Sequence, residues 1–294
     1  MTDPVAELIE ILDLNHIGAR TEEDIFTGIA QWMPHGRLFG GQVLAQALVA
    51  AQRTIGDERT VHSVHGYFLR AGDIKESITY SVDRIYDGRT FATRRTQAYQ
   101  NGRPILSMIA SFQHEEPGLE HQVTMPTGVP APETLPTAAE VAASSDNPAE
   151  VFWAKDHAFD VRRVPTPVYK NVDGEVIAHQ ALWIKSKAPL PDDRHLHQAA
   201  LAYLSDYSLL EPIIRRHNVS FAEKGVAAAS LDHALWIHRY SRVDEWLLYV
   251  QESPTAQGGR GLALGRIYTR DGILVASVGQ EGMIRVPRAS LPQQ

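Results

Sequence analysis

Three polar residues stand out from their surroundings in this chain. Asp206 is the sole carboxylate in the run from Leu196 to Leu210, Leu-His-Gln-Ala-Ala-Leu-Ala-Tyr-Leu-Ser-Asp-Tyr-Ser-Leu-Leu. A helix that is apolar on nearly all sides is normally buried, and a buried Asp is costly unless partners satisfy it. Two places are open to it: a buried, functional position, or a narrow exposed stripe near the frayed end before Pro212. Ser230 follows Val226-Ala227-Ala228-Ala229, and Gln280 follows the apolar run from Ile273 to Gly279. Taken singly, a strand serine is a tolerated small residue and a glutamine at a strand end is solvated. Together with Asp206 they supply a carboxylate, a hydroxyl and an amide. That set can hold and polarise a water without a cofactor.

Other candidates carry less chemistry. His62 and His65 lie three apart in a strand-like run, so alternation places them on opposite faces, where they cannot share a metal. His195 and His197 lie two apart near a helix start, also a poor spacing for a common ligand. Structural or surface roles are expected for all four. No Gly-x-Ser-x-Gly elbow occurs to present a serine nucleophile. The glycines of Gly258-Gly259-Arg260-Gly261 miss the dinucleotide spacing and lie between strand signals, not before a helix. With no cysteines in the chain, disulfides, thiolate catalysis and cysteine-ligated zinc are excluded. No metal or cofactor is expected.

The elements that must position the three residues come in two copies. Phe39-Gly40-Gly41-Gln42-Val43-Leu44 opens an apolar helix-like run; a strand-like run ending Tyr67-Phe68-Leu69-Arg70 follows, then a turn at Asn101-Gly102. The order recurs in a helix-like run from His197 to Leu210, a strand-like run ending Trp236-Ile237-His238-Arg239, and a turn at Asp271-Gly272. Arg70 to Gly102 spans 32 residues and Arg239 to Gly272 spans 33. Two copies of one unit predict a pseudo-symmetric molecule with its site at the seam.

In the first copy, Val5 to Leu14 reads as a short amphipathic helix, 24–33 as a strand, and about 41–54 as a helix. Strands are expected at 61–70, 76–86, 90–100 and 104–113, with hairpin turns at Asp87-Gly88 and Asn101-Gly102. Residues 114–150, with Pro117, Pro126, Pro130, Pro132 and Pro136 among Ala, Glu, Ser and Thr, read as an extended, partly mobile linker. The second copy repeats the plan. Strands are expected near 158–165 and 176–187, a helix from about Asp193 with Asp192 or Asp193 as its N-cap, and strands near 226–239, 245–253, 259–270 and 273–285. One helix followed by an antiparallel meander is an α+β pattern. The expected division is an N-terminal unit at 1–115, a linker at 116–155 and a C-terminal unit at 156–294.

The 294 residues suffice for two ordinary cores, and 44% hydrophobic with 21% charged residues is a soluble globular composition. A net charge of −7 argues against a nucleic-acid partner, since no basic excess faces phosphates. The acidic start MTDPVAELIE is expected to be neither a signal peptide nor a membrane anchor, and Ser290-Leu291-Pro292-Gln293-Gln294 is not a Ser-Lys-Leu peroxisomal address. A cytoplasmic protein is expected.

Leu38-Phe39-Gly40-Gly41-Gln42-Val43 and His62-Ser63-Val64-His65-Gly66-Tyr67-Phe68-Leu69-Arg70 resemble the first half of the acyl-CoA thioesterase II family. Pro191-Asp192-Asp193, Asp206, Leu231-Asp232-His233-Ala234-Leu235-Trp236-Ile237-His238-Arg239, Glu245-Trp246-Leu247-Leu248-Tyr249 and Gln280-Glu281-Gly282 resemble its second half. The resemblance covers nearly the whole chain and is weakest at 114–160. It implies a double hotdog fold, in which two helix-plus-antiparallel-sheet units share one continuous sheet. It also implies hydrolysis of acyl-CoA to free fatty acid and CoA, and a homo-oligomer, dimer or tetramer. The family sets an Asp on the second hotdog helix, a Thr on a following strand and a Gln on the last strand. Asp206 and Gln280 match, and Ser230 stands where the family typically has Thr, keeping the hydroxyl but losing the methyl that restricts its rotamer.

On this reading Asp206 is the general base, and Ser230 and Gln280 orient the attacking water. Backbone N–H groups, with Gly40-Gly41 as one candidate, could stabilise the oxyanion. Two rivals share the apolar tunnel. A hotdog enoyl-CoA hydratase uses an Asp with a His five residues on, where this chain has Glu211; a non-catalytic acyl-CoA binding protein needs no aligned polar trio. The helix-like run from Gln42 to Ala51 holds no carboxylate, so one active site per chain is expected.

Overall fold

The computed structural model describes residues 3–17, 23–164, 178–221 and 223–287. The outer limits of the two strands expected to end at 165 and to begin at 176 lie outside the described residues. In chain order the elements are α1 (Pro4–Leu12), β1 (Asn15–Ile17), β2 (Asp24–Gly28), α2 (Gly40–Gln52), β3 (Arg59–Phe68), β4 (Ile78–Asp87), β5 (Phe91–Gln100) and β6 (Arg103–His114). Two short helices follow, α3 (Ala138–Val141) and α4 (Pro148–Val151), then β7 (Phe159–Val164), β8 (His179–Ser186), α5 (Arg194–Ser205) and α6 (Glu211–Arg216). The chain ends in β9 (Ala227–Ser230), β10 (Asp232–Ile237), β11 (Leu247–Gln257), β12 (Arg260–Thr269) and β13 (Leu274–Arg285).

The strands form one antiparallel sheet in the order β1-β2-β4-β5-β6-β3-β10-β13-β12-β11-β8-β7, with β9 paired to β13. Each half follows the same plan: the strand before the long helix, then the last three strands of the meander, then the strand after the helix. The halves join where β3 pairs with β10, Asp232 opposite Tyr67 and Trp236 opposite Ser63. The turns expected at Asn101-Gly102 and Asp271-Gly272 form as their residues dictate, whereas β4 and β5 are joined through 88–90 with neither Asp87 nor Gly88 in the left-handed region. Asn101 and Gly102 take φ of 50° and 70°, and Gly272 takes 91°, the left-handed values that Asn and Gly tolerate. Helices α2 and α5 lie against each other, and a single apolar core joins them to the inner faces of both half-sheets. Leu44, Leu48, Val64, Leu106, Leu204 and Leu235 are fully enclosed in it.

Several expectations are corrected. The strand expected at 24–33 stops at Gly28, because the Ile29 carbonyl accepts from the side-chain amides of Gln42 and Gln46 instead of a neighbouring strand. The strand expected at 226–239 is broken at Leu231 into β9 and β10. A β-bulge between Val61 and Ser63 upsets the alternation of β3. His62 therefore reaches Ser111 Oγ at 2.8 Å and the Phe91 ring on the outer face, where His65 stacks edge-on against Trp236. The two histidines share a face after all, yet among the described residues no group of three or more His, Asp or Glu side chains could hold a metal ion.

The segment after β6 is extended at first and then strapped along the second half. Gln122 bonds Gly272 and Leu274, Trp183 Nε1 donates to the Pro130 carbonyl at 2.8 Å, and Glu133 pairs with Arg270. A capping box of Thr137 and Glu140 starts α3.

Candidate active site

Asp193 caps α5, its carboxylate accepting from the His195 and Leu196 amides. From there α5 is buried through nearly all of its length, wedged between α2 and the sheet. It ends at Ser205, whose carbonyl accepts from the buried Tyr249 hydroxyl at 2.7 Å. Asp206 is the C-cap residue, φ −79° and ψ −5°, and Ser208 at φ 60° completes the break. The helix is thus shorter than the apolar run that reaches Leu210. Asp206 lies at a helix end and is buried at the same time, a combination that the periodicity of the run did not anticipate.

The buried carboxylate faces the start of the other long helix. Phe39, the N-cap of α2, offers no side-chain acceptor. The Asp206 carboxylate faces this terminus instead, where the Gly41 N–H favours its ionised form, so an acid from the second unit serves the N-terminus of the first, where the helix dipole favours negative charge. Only glycine fits this approach. A Cβ on Gly40 would stand 2.7 Å from Asp206 Oδ2, and one on Gly41 would press on the Tyr203 carbonyl and the Phe39 ring.

Ser230 and Gln280 arrive on paired strands. Ser230 closes β9 opposite Gly282, and the Leu231 amide donates to the Glu281 carbonyl. This register lays the two side chains side by side. Ser230 Oγ donates to Asp206 Oδ1 at 3.3 Å, and Gln280 Nε2 donates to Ser230 Oγ at 2.7 Å and also bonds Asp206. All three sequence-selected residues converge.

Burial raises the Asp206 carboxyl above its ordinary value; the electrostatic interaction with His233 and the donors Gln280, Ser230 and Gly41 oppose the rise. The result is a base held closer to neutrality than a surface Asp. His233, buried behind Gln280, is pushed down by the same desolvation, against the pull of Asp206 and Asp232. Its Nδ1 bonds Gln280 Oε1 and its Nε2 lies 2.8 Å from Ser205 Oγ.

A cavity of about 660 Å³ opens onto these groups at the seam between the units. Phe39, Val43 and Phe68 line it from the first half, Asp206, Ser230 and Gln280 from the second, and Trp153 from the connecting segment. Arg37 and Arg70 stand in its wall. Trp153 lies in a π-helical turn at 152–156 and meets Phe39, His157 and Tyr207 ring to ring.

Helix α2 carries no carboxylate to match Asp206. On α2, Gln42 and Gln46 spend their amides on the Ile11 and Ile29 carbonyls, and Tyr80 donates to Gln46 Oε1 at 2.6 Å. These are satisfied structural bonds. His233 and Trp153 were not selected from the sequence, and Gly41 was named only as a candidate oxyanion donor. Strand parity carried one available signal, for His233 shares the inward face of β10 with Leu235 and Ile237. His197 is structural, its Nδ1 accepting from the Val243 amide at 3.1 Å.

The family profile described as acyl-CoA thioesterase matches residues 154–283, and that of the acyl-CoA thioesterase N-terminal domain matches residues 29–113. The chain is 36% identical over 297 residues to human acyl-coenzyme A thioesterase 8, an alignment spanning 97% of this chain and 92% of that protein. It is 38% identical to acyl-CoA thioesterase 2 of Haemophilus influenzae, over 97% of this chain and 99% of that one.

The chain belongs to the acyl-CoA thioesterase family.

Among solved members of the family, an acyl-CoA thioesterase II from Mycobacterium marinum is 42% identical, with a TM-score of 0.78 over 96% of this chain and 99% of that one. A hot dog protein of unknown function from Alicyclobacillus acidocaldarius, 17% identical with a TM-score of 0.74, shares the fold alone. The fold of this chain is the double hotdog of the family, with two helix-and-sheet units in one continuous sheet.

Proposed function

We propose that the protein hydrolyses fatty acyl-CoA thioesters to free acid and CoA, with Asp206, Ser230 and Gln280 as its catalytic residues. The observation that carries this reading is the convergence of a buried carboxylate, a hydroxyl and an amide at the inner wall of an apolar seam cavity. Asp206 takes a proton from a water as the water oxygen bonds to the thioester carbonyl carbon. Ser230 donates a hydrogen bond to Asp206 and accepts one from Gln280, which leaves a lone pair of its oxygen to accept a hydrogen bond from the second water hydrogen. The C–S bond then breaks and the thiolate of CoA leaves, taking up the proton that Asp206 accepted, which restores the carboxylate. Thiolate is a good leaving group, so the trio suffices without a covalent step. A general base of this kind contributes about a hundredfold to ten-thousandfold.

The units divide the labour: the N-terminal one supplies a cavity wall and the α2 terminus, the linker supplies Trp153, and the C-terminal one supplies the trio. Among the described residues no helix is long and apolar enough to cross a membrane. With the acidic composition this supports a cytoplasmic location. Exposed Tyr67, Ile109 and Trp236 on the outer sheet face support a homo-oligomer, which a solution mass measurement tests.

Incubation with acyl-CoAs of graded length and a thiol reagent tests the activity. Release of CoA is expected. Loss of enoyl absorbance without CoA release would mark a hydratase, and neither change a binding protein. Glu211, at the position where the hydratase pattern needs a His, is already held by Arg163 at 2.8 Å and Gln180 at 3.0 Å.

A further inference from the structure

A glutamine amide has one accepting and one donating end, and the reaction needs only one of its two orientations. In the site, the Nε2 end of Gln280 faces Ser230 Oγ and Asp206. The reversed amide would set Oε1 against a carboxylate, acceptor against acceptor. Ser230 and Asp206 favour the working orientation, and a third side chain holds the far end. His233 Nδ1 meets Gln280 Oε1, and because that oxygen can only accept, Nδ1 must carry the hydrogen. Nε2 is then the accepting nitrogen of a neutral ring. Ser205 Oγ lies 2.8 Å from it and 2.8 Å from the Ala202 carbonyl, so its one hydroxyl hydrogen is set between the ring nitrogen and that carbonyl. Ser205 directly precedes Asp206, so the bonds form a closed loop from Ser205 through His233 and Gln280 to Asp206.

The ring is 1% exposed and stands behind Gln280, outside the wall of the cavity. It cannot touch a substrate there. Its inward direction follows from the parity of β10, and β10 holds its register on both sides, against β3 and β13. The charged groups facing it are Asp206 and Asp232, and Asp232 is tied to the Glu281 amide at 2.7 Å.

We propose that His233 is a positioning residue for the water-activating trio: its Nδ1–H fixes the Gln280 amide with Nε2 turned to Ser230 and Asp206. The inference rests on the thioesterase reading for its kinetic consequence, but its structural content does not. If the ring is removed, the amide turns freely, Asp206 and Ser230 lose a donor, and turnover falls without a change in substrate contacts. An asparagine can present an N–H where Nδ1 stands; a glutamine reaches further, towards Ser205.

Three variants, His233→Asn, His233→Gln and His233→Leu, are compared in the wild-type and Gln280→Ala backgrounds. His233→Leu should lose about a hundredfold in kcat, the scale of a misplaced catalytic group, with KM within about twofold, and with the acid limb of its pH profile moved upward. His233→Asn should recover most of the loss and His233→Gln little of it. In the Gln280→Ala background the three should become nearly equal, since the effect passes through that amide. Equal losses for Asn and Gln, or undiminished losses without Gln280, overturn the proposal. If His233→Leu does not fold, the Asn and Gln pair decides alone. Nitrogen NMR of labelled histidine reads the tautomer without turnover: Nδ1 protonated supports the proposal, and Nε2 protonated overturns it, whatever thioester the enzyme cleaves.

Discussion

The backbone N–H of Gly41 favours the ionised carboxylate of Asp206, joining the first turn of one repeat's helix to the C-cap of the other's. Two helices meet at their functional ends because α2 has no side-chain cap of its own and α5 delivers an acid to the gap. This geometry also explains the glycine pair, which clears the space that the carboxylate fills.

Gly40→Ala tests that clearance. The added methyl would meet Asp206 Oδ2 at 2.7 Å and the Phe68 ring at 3.1 Å. A displaced base should lower kcat/KM by about a hundredfold. The fold should survive, since alanine favours a helix start more than glycine does by about 0.5–1 kcal/mol. Unaltered turnover in a folded variant would show that Asp206 need not be held there.

Asp206→Asn should lose about a hundredfold to ten-thousandfold in kcat. Its stability should move the other way. The folded-state pKa of Asp206 is raised by burial, so the folded state binds its proton more tightly than the unfolded chain. Stability is then fully present below the unfolded value and is lost as pH rises through the folded one. At neutral pH the amide should melt at least about 2 °C above the wild type, the shift expected from about 1 kcal/mol in a large domain. The gap should close on acidification; calorimetry at pH 4 and pH 7.5 measures it.

The same raised value sets the pH profile of the reaction. The base works only when ionised, so kcat/KM should fall on the acid side with a midpoint above the ordinary Asp value. Loss of a donor in Ser230→Ala should shift the midpoint further upward, because that bond favours the ionised form. A midpoint at or below the ordinary value would remove Asp206 as the titrating base.

His157 supplies a pH signature away from the reaction. Buried among Trp153, Phe159 and Tyr207, its pKa falls to about 3, through desolvation first and then the charge of Lys187. A depressed histidine contributes stability present above its unfolded value near 6.5 and lost as pH falls towards 3, by up to about 1.4 kcal/mol per unit. His157→Phe should flatten the fall of Tm between pH 6.5 and 4. An equally steep fall would place the acid sensitivity elsewhere.

Much of the local plan was legible in the residues. Asn101-Gly102 turns because its residues accept left-handed backbone, and Asp193 caps α5 because its carboxylate accepts the first free amides. The uncharged run around Asp206 marked it as unusual, and the run's apolar faces required burial. The exact end of α5 was not legible, since Asp206, Tyr207 and Ser208 leave the helix under the hold of Tyr249 and not through any breaker in the run. The bulge in β3 was equally hidden, and one inserted residue was enough to reverse the face expected for His62.

What the sequence determined by itself is therefore what depends on near neighbours: two copies of a helix-and-meander unit, their turns and caps, and three polar residues set in apolar surroundings. What only the tertiary structure decided is how distant residues meet. Asp206, Ser230 and Gln280 come from a helix end and two strands, and their bonds depend on strand register and on α2 packing against α5. Gly41 and His233 join them from the other repeat and from behind the sheet strand. Such contacts hold only when every intervening layer is packed, and no local pattern of residue types encodes that sum.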